Sequence, residues 1–441
     1  MDELDIKPDN LKILKKIMSR VSMHNLHEQK QSVDHILTKV KNEGNQALKE
    51  FSAKFDKYTL GDSELSGINA EGYFSRSDES LKEALNEAKS RIEHFHQQEY
   101  INSNFETGWR FKGQLNESLG VRYQALESVA VYIPGGQAPL LSTLLMTVIP
   151  AQVAGVKRIV MFSPPPIHPN VLATADLLGI KEIYPIGGAQ AVAAAAYGTE
   201  SINAVSKIVG PGNIYVSLAK KEVFGTIGID GIYGPSELAI VADETANPEL
   251  IALDLLSQLE HGSGLESVLF LTSSDQVLSA TKAALEDEFN NMKNFKTEQQ
   301  IKTIKSSLDN YSALLKVENM NEAANLINIY APEHLELQAN EDKLKILLDK
   351  IKYAGAIFIG ESSCESLGDY IAGPSHCLPT GGSAKFSSGL QAHDFMIKSS
   401  LVDFRKVAKS KFTKLAQQAS VMARAESLEY HALAMDERLK D

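Results

Sequence analysis

Gln258 and His261 stand three apart in Asp254-Leu255-Leu256-Ser257-Gln258-Leu259-Glu260-His261, a stretch whose leucines mark the apolar side of a helix. Helical spacing puts the amide and the imidazole on one face, one above the other. A neutral imidazole is the commonest metal ligand, and a carboxamide oxygen is a weak, hard donor for the same ion. The Gly262-Ser263-Gly264 that follows ends the helix and lets His261 reach outward into a cleft. Taken alone, the stretch is met more simply by a helix-end histidine completing the last carbonyls.

Three further groups carry reactive residue types. Ala331-Pro332-Glu333-His334 sets a carboxylate beside an imidazole. The pair suits acid–base work, with His titrating near neutrality and Glu raised by burial to activate water. Neighbours on a strand face opposite ways, so both reach one site only if Pro332 places them at a turn. By itself the pair is slightly better met by a surface Glu beside a packed His. Leu367-Gly368-Asp369 through His376 reads as a loop of small residues, with Asp369 a good zinc or substrate ligand and His376 seven residues on. Cys364 and Cys377 flank it, match no C-x-x-C spacing and read as bystanders. Glu426 and His431 would lie about 140° apart on a straight helix and converge only if it restarts near Ser427. His94 and His96 do not share a helix face, and His24 and His27 have no acidic or Cys partner, so both pairs read as structural.

The elements that must hold these residues follow a rhythm. Val129–Ile133, Arg158–Phe162, Glu182–Ile186 and Lys207–Val209 are strand-like, and the glycine turns Gly135-Gly136, Gly187-Gly188 and Gly210-Pro211-Gly212 each follow a strand and open a helix. Strand, turn and helix in repetition indicate a parallel sheet with helical crossovers. None of the turns completes G-x-G-x-x-G, and each alone is as readily an ordinary turn as a phosphate seat. Three at the C-terminal ends of strands in one sheet bring the nucleotide reading level with the ordinary one. A second series, 238–242, 267–271, 312–317 and 355–359, repeats the rhythm and suggests duplication of one α/β unit. Residues 8–55 read as amphipathic helices broken at Gly44, Asp78 to Tyr100 as one long helix, and Asp403 to Leu439 as helical but too thin to form a core alone.

At 441 residues the chain exceeds what one core usually supports. Its 43% apolar and 23% charged residues are ordinary for a soluble protein. A net charge of -12 argues against nucleic acid and against a polybasic membrane anchor. The first ten residues are acidic without an apolar signal core, and the longest apolar run, Pro139 to Val156, is too polar and short to span a bilayer. Two cysteines suit a reducing compartment. The expectation is a soluble, cytoplasmic, multidomain protein.

In company these stretches resemble the histidinol dehydrogenase family. The likeness runs from about Gly44 to His431, carried in order by VYIPGG (131–136), GGAQA (187–191), VGPGN (209–213), GPSE (234–237), LLSQLEH (255–261), YAPEHLEL (330–337) and GDYIAGPSHCLPTGG (368–382). It implies an α/β fold of two incomplete Rossmann-like parallel-sheet domains with small helical N- and C-terminal domains, in an intertwined homodimer. The implied domains are an N-terminal helical segment 1–27, a first Rossmann-like domain of 28–130 with 237–388 bearing the zinc and catalytic loops, a second of 131–236 on the NAD side, and a C-terminal helical domain 389–441 reaching the partner subunit. The implied reaction is NAD-dependent, four-electron oxidation of L-histidinol to L-histidine through bound L-histidinaldehyde, the last steps of histidine biosynthesis.

Residue by residue, the resemblance makes Gln258, His261, Asp369 and His431 the ligands of one zinc per subunit, and Glu333 and His334 the acid–base pair. Ser236, His376 and Glu426 would contact substrate, together with His334 and the zinc ligands. Tyr132, Gln190 and Asn213 would contact NAD. Glu426 and His431 would come from the neighbouring subunit. Two stretches depart from the family's usual pattern: Gly231-Ile232-Tyr233, where Met and a small residue are more usual, and Gly262-Ser263-Gly264, where an Asp-Pro-like turn is. The first could reshape the substrate pocket and the second could loosen the helix before it. A paralogue oxidising another hydroxylated compound, a zinc hydrolase using Glu333 as base, and a silent dimer are the rival readings. Glu426, the glycine turns with Gln190, and the full polar set count against them in turn.

Overall fold

A computed structural model describes residues 7–19, 26–135 and 139–440; the acidic residues 1–6, His24 and Gly136 lie outside the described residues. The chain divides into two compact units, Met1–Gln97 with Leu126–Phe395 and Gln98–Ala125 with Met396–Asp441. Trp109–Lys112 (β1) and Ser118–Ala125 (β2) belong to the second of these.

The larger unit holds two parallel sheets. β3 (Ser128–Tyr132), β4 (Arg158–Phe162), β5 (Glu182–Tyr184), β6 (Lys207–Val209) and β7 (Gly228–Ile229) lie in the order β5-β4-β3-β6-β7. β8 (Glu237–Ala242), β9 (Ser267–Thr272), β10 (Ala313–Lys316), β11 (His334–Gln338) and β12 (Ala356–Ile359) repeat that order as β10-β9-β8-β11-β12. Each sheet therefore reverses its winding once, between β3 and β6 in the first and between β8 and β11 in the second. The shared order agrees with the duplicated α/β unit that the rhythm suggests.

Burial on both faces explains the near-continuous apolar strands. Along β8, Ala239 and Val241 enter one core with Leu335 and Leu337, while Leu238, Ile240 and Ala242 enter another with Leu255 and Leu259. In the helix His27–Glu43, Val33, Ile36, Leu37 and Val40 form a stripe at i, i+3, i+4 and i+7. That stripe, with Leu48 and Phe51 of the next helix, shares a core with the Ala-rich helix Gly188–Tyr197 and the β3–β7 sheet. The grouping of 28–130 with 237–388 thus differs from the packing. The small alanines offer the stripe a close flat partner, while Gln98–Ala125 joins the smaller unit. Leu14 and Ile17, in the first helix, pack instead into a core of the second sheet.

The smaller unit contains a sheet that the helical reading of the C-terminus misses. β13 (Met396–Asp403) pairs antiparallel with β2, which pairs antiparallel with β1. β1 is exposed along its length and β13 is exposed or half-buried throughout, so neither presents the apolar run that marks a buried strand. Helices Lys409–Ala425 and Glu429–Glu437 follow, and the chain does restart between them, with Ser427 at φ 62°. No helix among the described residues is long and apolar enough to cross a membrane.

Phe51→Ala should cost about 3–5 kcal/mol, the usual range for emptying a buried aromatic site, because the ring is fully enclosed between the N-terminal helices and the first sheet. Denaturant unfolding checks this; a loss under about 1 kcal/mol would show that those helices do not share its core.

Candidate active site

Asp369 is the hub of the polar residues in the larger unit. It sits on a short helix, Glu365–Tyr370, where the sequence suggests a loop; Leu367 accepts from Ile371 and closes the turn. Its Oδ1 lies 3.6 Å from His334 Nε2 and 3.5 Å from His376 Nδ1, and its Oδ2 lies 3.8 Å from His261 Nε2. Nδ1 of His376 also donates to the Asp369 carbonyl over 2.9 Å, and its Nε2 meets Thr143 Oγ1 at 3.3 Å.

Chain direction brings the parts together. Glu333 and His334 stand at the N-terminal end of β11, and Ser236 just precedes β8, with which β11 pairs from His334 opposite Leu238. The helix Pro248–Leu259 runs back from the far end of β8 and delivers Gln258 and His261 to the same end. The chain changes direction at Ala331, φ 51°, which ends the helix Met320–Tyr330; Pro332 follows, and Glu333 and His334 then lead into β11. A Glu333 oxygen accepts the Glu237 N–H over 2.9 Å and lies 3.8 Å from His334 Nδ1, which itself meets the Glu237 carbonyl at 3.2 Å. A proton on that Nδ1 leaves Nε2 directed toward Asp369. Beside them a cavity of about 440 Å³ is lined by His334, Phe358, Gly368, His376 and Gln391, with Lys352.

Burial and charge oppose each other here. Burial, eased by His334, pushes Glu333 up to about 8. Burial works to neutralise His334, but Glu333 and Asp369 outweigh it and hold the ring up to about 10. Burial would raise Asp369 too, yet hydrogen bonding to His334 and His376 keeps its carboxyl well below the usual range. Glu365, which sequence reasoning missed, is buried, is pushed up to about 7 by burial and then by Asp369, and takes a 3.1 Å hydrogen bond from Ser257. Nothing in its local sequence separates it from a surface Glu.

Two donor sets share Asp369. His334, Glu365 and Asp369 offer ligand atoms all within 4.8 Å of one another. Gln258 and His261 form the other flank. Gln258 is fully buried, and its Oε1 has no hydrogen-bond partner among the described residues. An amide oxygen left so costs about 1–3 kcal/mol unless something binds it. Nδ1 of His261 meets the Gln258 carbonyl at 3.1 Å, which leaves Nε2 pointing away from the helix.

The residues assigned to NAD stand on the first sheet, at the C-terminal ends of its strands. Tyr132 is buried, its hydroxyl accepts the Gly188 N–H over 3.0 Å, and burial pushes its phenol to about 12. Gln190 is buried and donates to Asp56 over 3.4 Å. Asn213 caps the helix Ile214–Val223, accepting from the Tyr215 and Val216 N–H groups. Glu426 and His431 are both exposed, in the smaller unit. Cys377 is buried, with a thiol that burial pushes above its usual range, consistent with a bystander. His96 is buried and His94 is exposed on the long helix.

The Gly262-Ser263-Gly264 turn is tied down rather than loose. Gly262 and Gly264 adopt φ 87° and 78°, where a side chain would be strained. The buried Glu266 carboxylate accepts from Ser263 N over 2.6 Å and Gly264 N over 2.9 Å, and from Ser307 Oγ over 2.9 Å.

Paired sheets of one strand order, one ending in glycine turns and the other leading to a buried Glu–His–Asp cluster, define an α/β enzyme fold. The chain belongs to the histidinol dehydrogenase family, whose profile matches residues 19–439. Histidinol dehydrogenase of Halalkalibacterium halodurans is 42% identical over 423 residues, covering 94% of each chain. That of Bacillus subtilis is 43% identical over 415 residues, covering 93% of each. The crystal structure of histidinol dehydrogenase from Elizabethkingia anophelis superposes with a TM-score of 0.86 at 34% identity, covering 98% of this chain and 96% of that one. The family is one of oxidoreductases, and its reaction is the NAD-dependent oxidation of L-histidinol in histidine biosynthesis.

Glu266→Ala should lower stability by about 2–3 kcal/mol, the range for hydrogen bonds to a buried charge. Denaturant melts read the loss, and parent-like stability would show that the turn holds itself.

Proposed function

We propose that the centre around Asp369 oxidises L-histidinol to L-histidine in two hydride transfers, with the aldehyde retained between them. The orphaned Gln258 oxygen carries this reading: it is a buried acceptor with no donor among the described residues, on an amide whose nitrogen lies 3.3 Å from His261 Nδ1, and such an oxygen suits a cation. Gln258, His261 and Asp369, completed by His431 from a second copy of the chain, would hold zinc, an N,O set without thiolate. When bound, zinc supplies a charge that anchors and polarises the substrate oxygen, and NAD supplies the hydride acceptor.

The remaining work falls to this chain's own residues. An alcohol proton has a pKa far above neutrality, so hydride loss needs a base in reach. His334, held up to about 10 by Glu333 and Asp369, would take that proton in its neutral form. That form is favoured when a cation on Asp369 offsets the charge that keeps the ring protonated. Glu333, raised to about 8, is strong enough as a carboxylate to draw a proton from water adding to the aldehyde. His376, fixed at both ring nitrogens, and Ser236 would position the substrate, with Glu426 of the second copy meeting its cationic end. Tyr132, Gln190 and Asn213 would receive NAD at the β3/β6 end of the first sheet. The smaller unit supports a shared dimer. It leaves the large apolar side chains Trp109, Phe111, Val421, Met422 and Tyr430 exposed, a set a partner would cover. Cytoplasmic placement rests on the two free cysteines, which suit a reducing compartment.

NADH formation from L-histidinol, measured before chelation, after it and on zinc return, tests the whole. No NADH at any substrate concentration sinks the reaction, and NADH indifferent to chelation sinks the metal. His334→Asn should lower turnover by about a hundredfold or more with zinc content intact. Glu365→Gln should also retain zinc; loss in either variant would move the metal to the His334–Glu365–Asp369 set. Mixing His431→Ala chains with His334→Asn chains should restore activity that neither parent has. In a shared dimer one site then carries both defects and the other, roughly half of the total, carries neither. No recovery on mixing would mean each chain completes its own site.

A further inference from the structure

Lys220, on the helix Ile214–Val223, and Asp230, just after β7, form a buried ion pair with side chains 2% and 1% exposed. A buried pair of this kind is often no more stable than two apolar side chains of similar volume, so its presence calls for a geometric reason. Its hydrogen bonds supply one. Lys220 Nζ donates to the Gly210 carbonyl over 2.9 Å, and Asp230 Oδ2 accepts the Gly210 N–H over 2.7 Å. Both backbone groups of one glycine are thus held by opposite ends of one ion pair. That glycine opens the Gly210–Asn213 turn. It sits at φ 112°, where an added Cβ would come within 2.3 Å of the Tyr132 carbonyl.

The same pair reaches the other way. Asp230 Oδ1 accepts the Gly231 N–H over 2.8 Å, and Lys220 Nζ lies 4.8 Å from the centre of the Tyr233 ring. Ser217, one turn before Lys220 on its helix, donates to the Tyr233 carbonyl over 2.9 Å. Gly234 N then donates to Thr380 Oγ1 over 2.6 Å, immediately before Ser236 and the Glu237 N–H that binds Glu333. The departure at Gly231-Ile232-Tyr233 is therefore built into this contact: the Tyr233 ring covers the ammonium that holds Gly210.

We propose that the Lys220–Asp230 pair, covered by Tyr233, is a positioning clamp that holds the Gly210–Asn213 turn in its cofactor-receiving shape and couples it to the segment leading to Ser236. The clamp acts through the turn and touches neither reactant. It rests on the reading of that turn as a seat for NAD.

The test uses the full-length, zinc-loaded protein. In Lys220→Met/Asp230→Leu the charges go together, so no lone buried charge remains. Thermal stability should fall by no more than the unmade hydrogen bonds at Gly210 and Gly231 cost, and zinc content should stay near the parent's. NADH affinity, read by fluorescence titration, should weaken about tenfold, because the hydrogen bonds that shape the turn are gone. KM for NAD should rise in step and KM for L-histidinol should move less than about twofold. A double variant that folds and binds NADH like the parent overturns the clamp. If it does not fold, Tyr233→Ala decides alone: NADH binding about threefold weaker supports the clamp, and parent-like binding overturns it. Asn213→Ser, which keeps the helix cap, separates the clamp from the reading beneath it. Weakening by Asn213→Ser without weakening by the clamp variants sinks the clamp and keeps the seat. The reverse sinks the Asn213 assignment and keeps the clamp.

Discussion

A carboxylate enclosed by protein stays charged only if its surroundings replace the water it has lost, and Asp369 meets that condition with histidines. His334 and His376 both approach one of its oxygens and His261 the other. Each histidine is in turn fixed at its second nitrogen or by a neighbouring carbonyl: His334 by Glu237, His376 by Thr143, His261 by Gln258. The acid–base pair and the two flanking donor sets inherit their placement from this arrangement. Removing the Asp369 charge would release three rings at once, since all of them face it.

The two sheets share a strand order but use opposite ends of it. The glycine turns of the first sheet lie where the general rule for open α/β sheets puts a ligand, beyond the C-terminal ends of the strands. The second sheet places Glu333, His334 and Ser236 at its N-terminal ends, and the helix Pro248–Leu259 must run its whole length to bring Gln258 and His261 back to them. The shared α/β strand order accounts for the frame. It does not account for the site, which arises where the second unit meets segments from Cys364 onward.

Much of this frame was legible in the residues. The long parallel strands announce themselves as apolar runs because they are buried on both faces, and the helical stripe of residues 33–40 has the period that a core demands. β1, β2 and β13 did not, because exposed antiparallel strands with mixed polarity give no run to read. At the candidate site, residue types and order pointed to Gln258, His261, Glu333, His334 and Asp369, through a resemblance rather than through spacing, and the fold gathers His261, His334 and Asp369 with Glu333 beside His334. Glu365 stayed hidden: its burial depends on Glu336 and Ser257, which are distant in the chain and meet it only after folding. Asp56 was hidden for the same reason, since it reaches Gln190 across 134 residues.

The two readings of His261, helix-end cap and metal ligand, turn out to use different atoms. Nδ1 serves the Gln258 carbonyl and so completes the helix, while Nε2 faces Asp369 at 3.8 Å. With Nδ1 protonated the capping bond aims the ring, which is what a ligating histidine requires of its second nitrogen. The Gly-Ser-Gly turn that follows could have undone this by letting the ring swing. Glu266 prevents that by binding two consecutive N–H groups of the turn from inside the core. A feature that looks like a weakness in sequence is thereby converted into a fixed support, and its rigidity comes from a carboxylate no motif would have named.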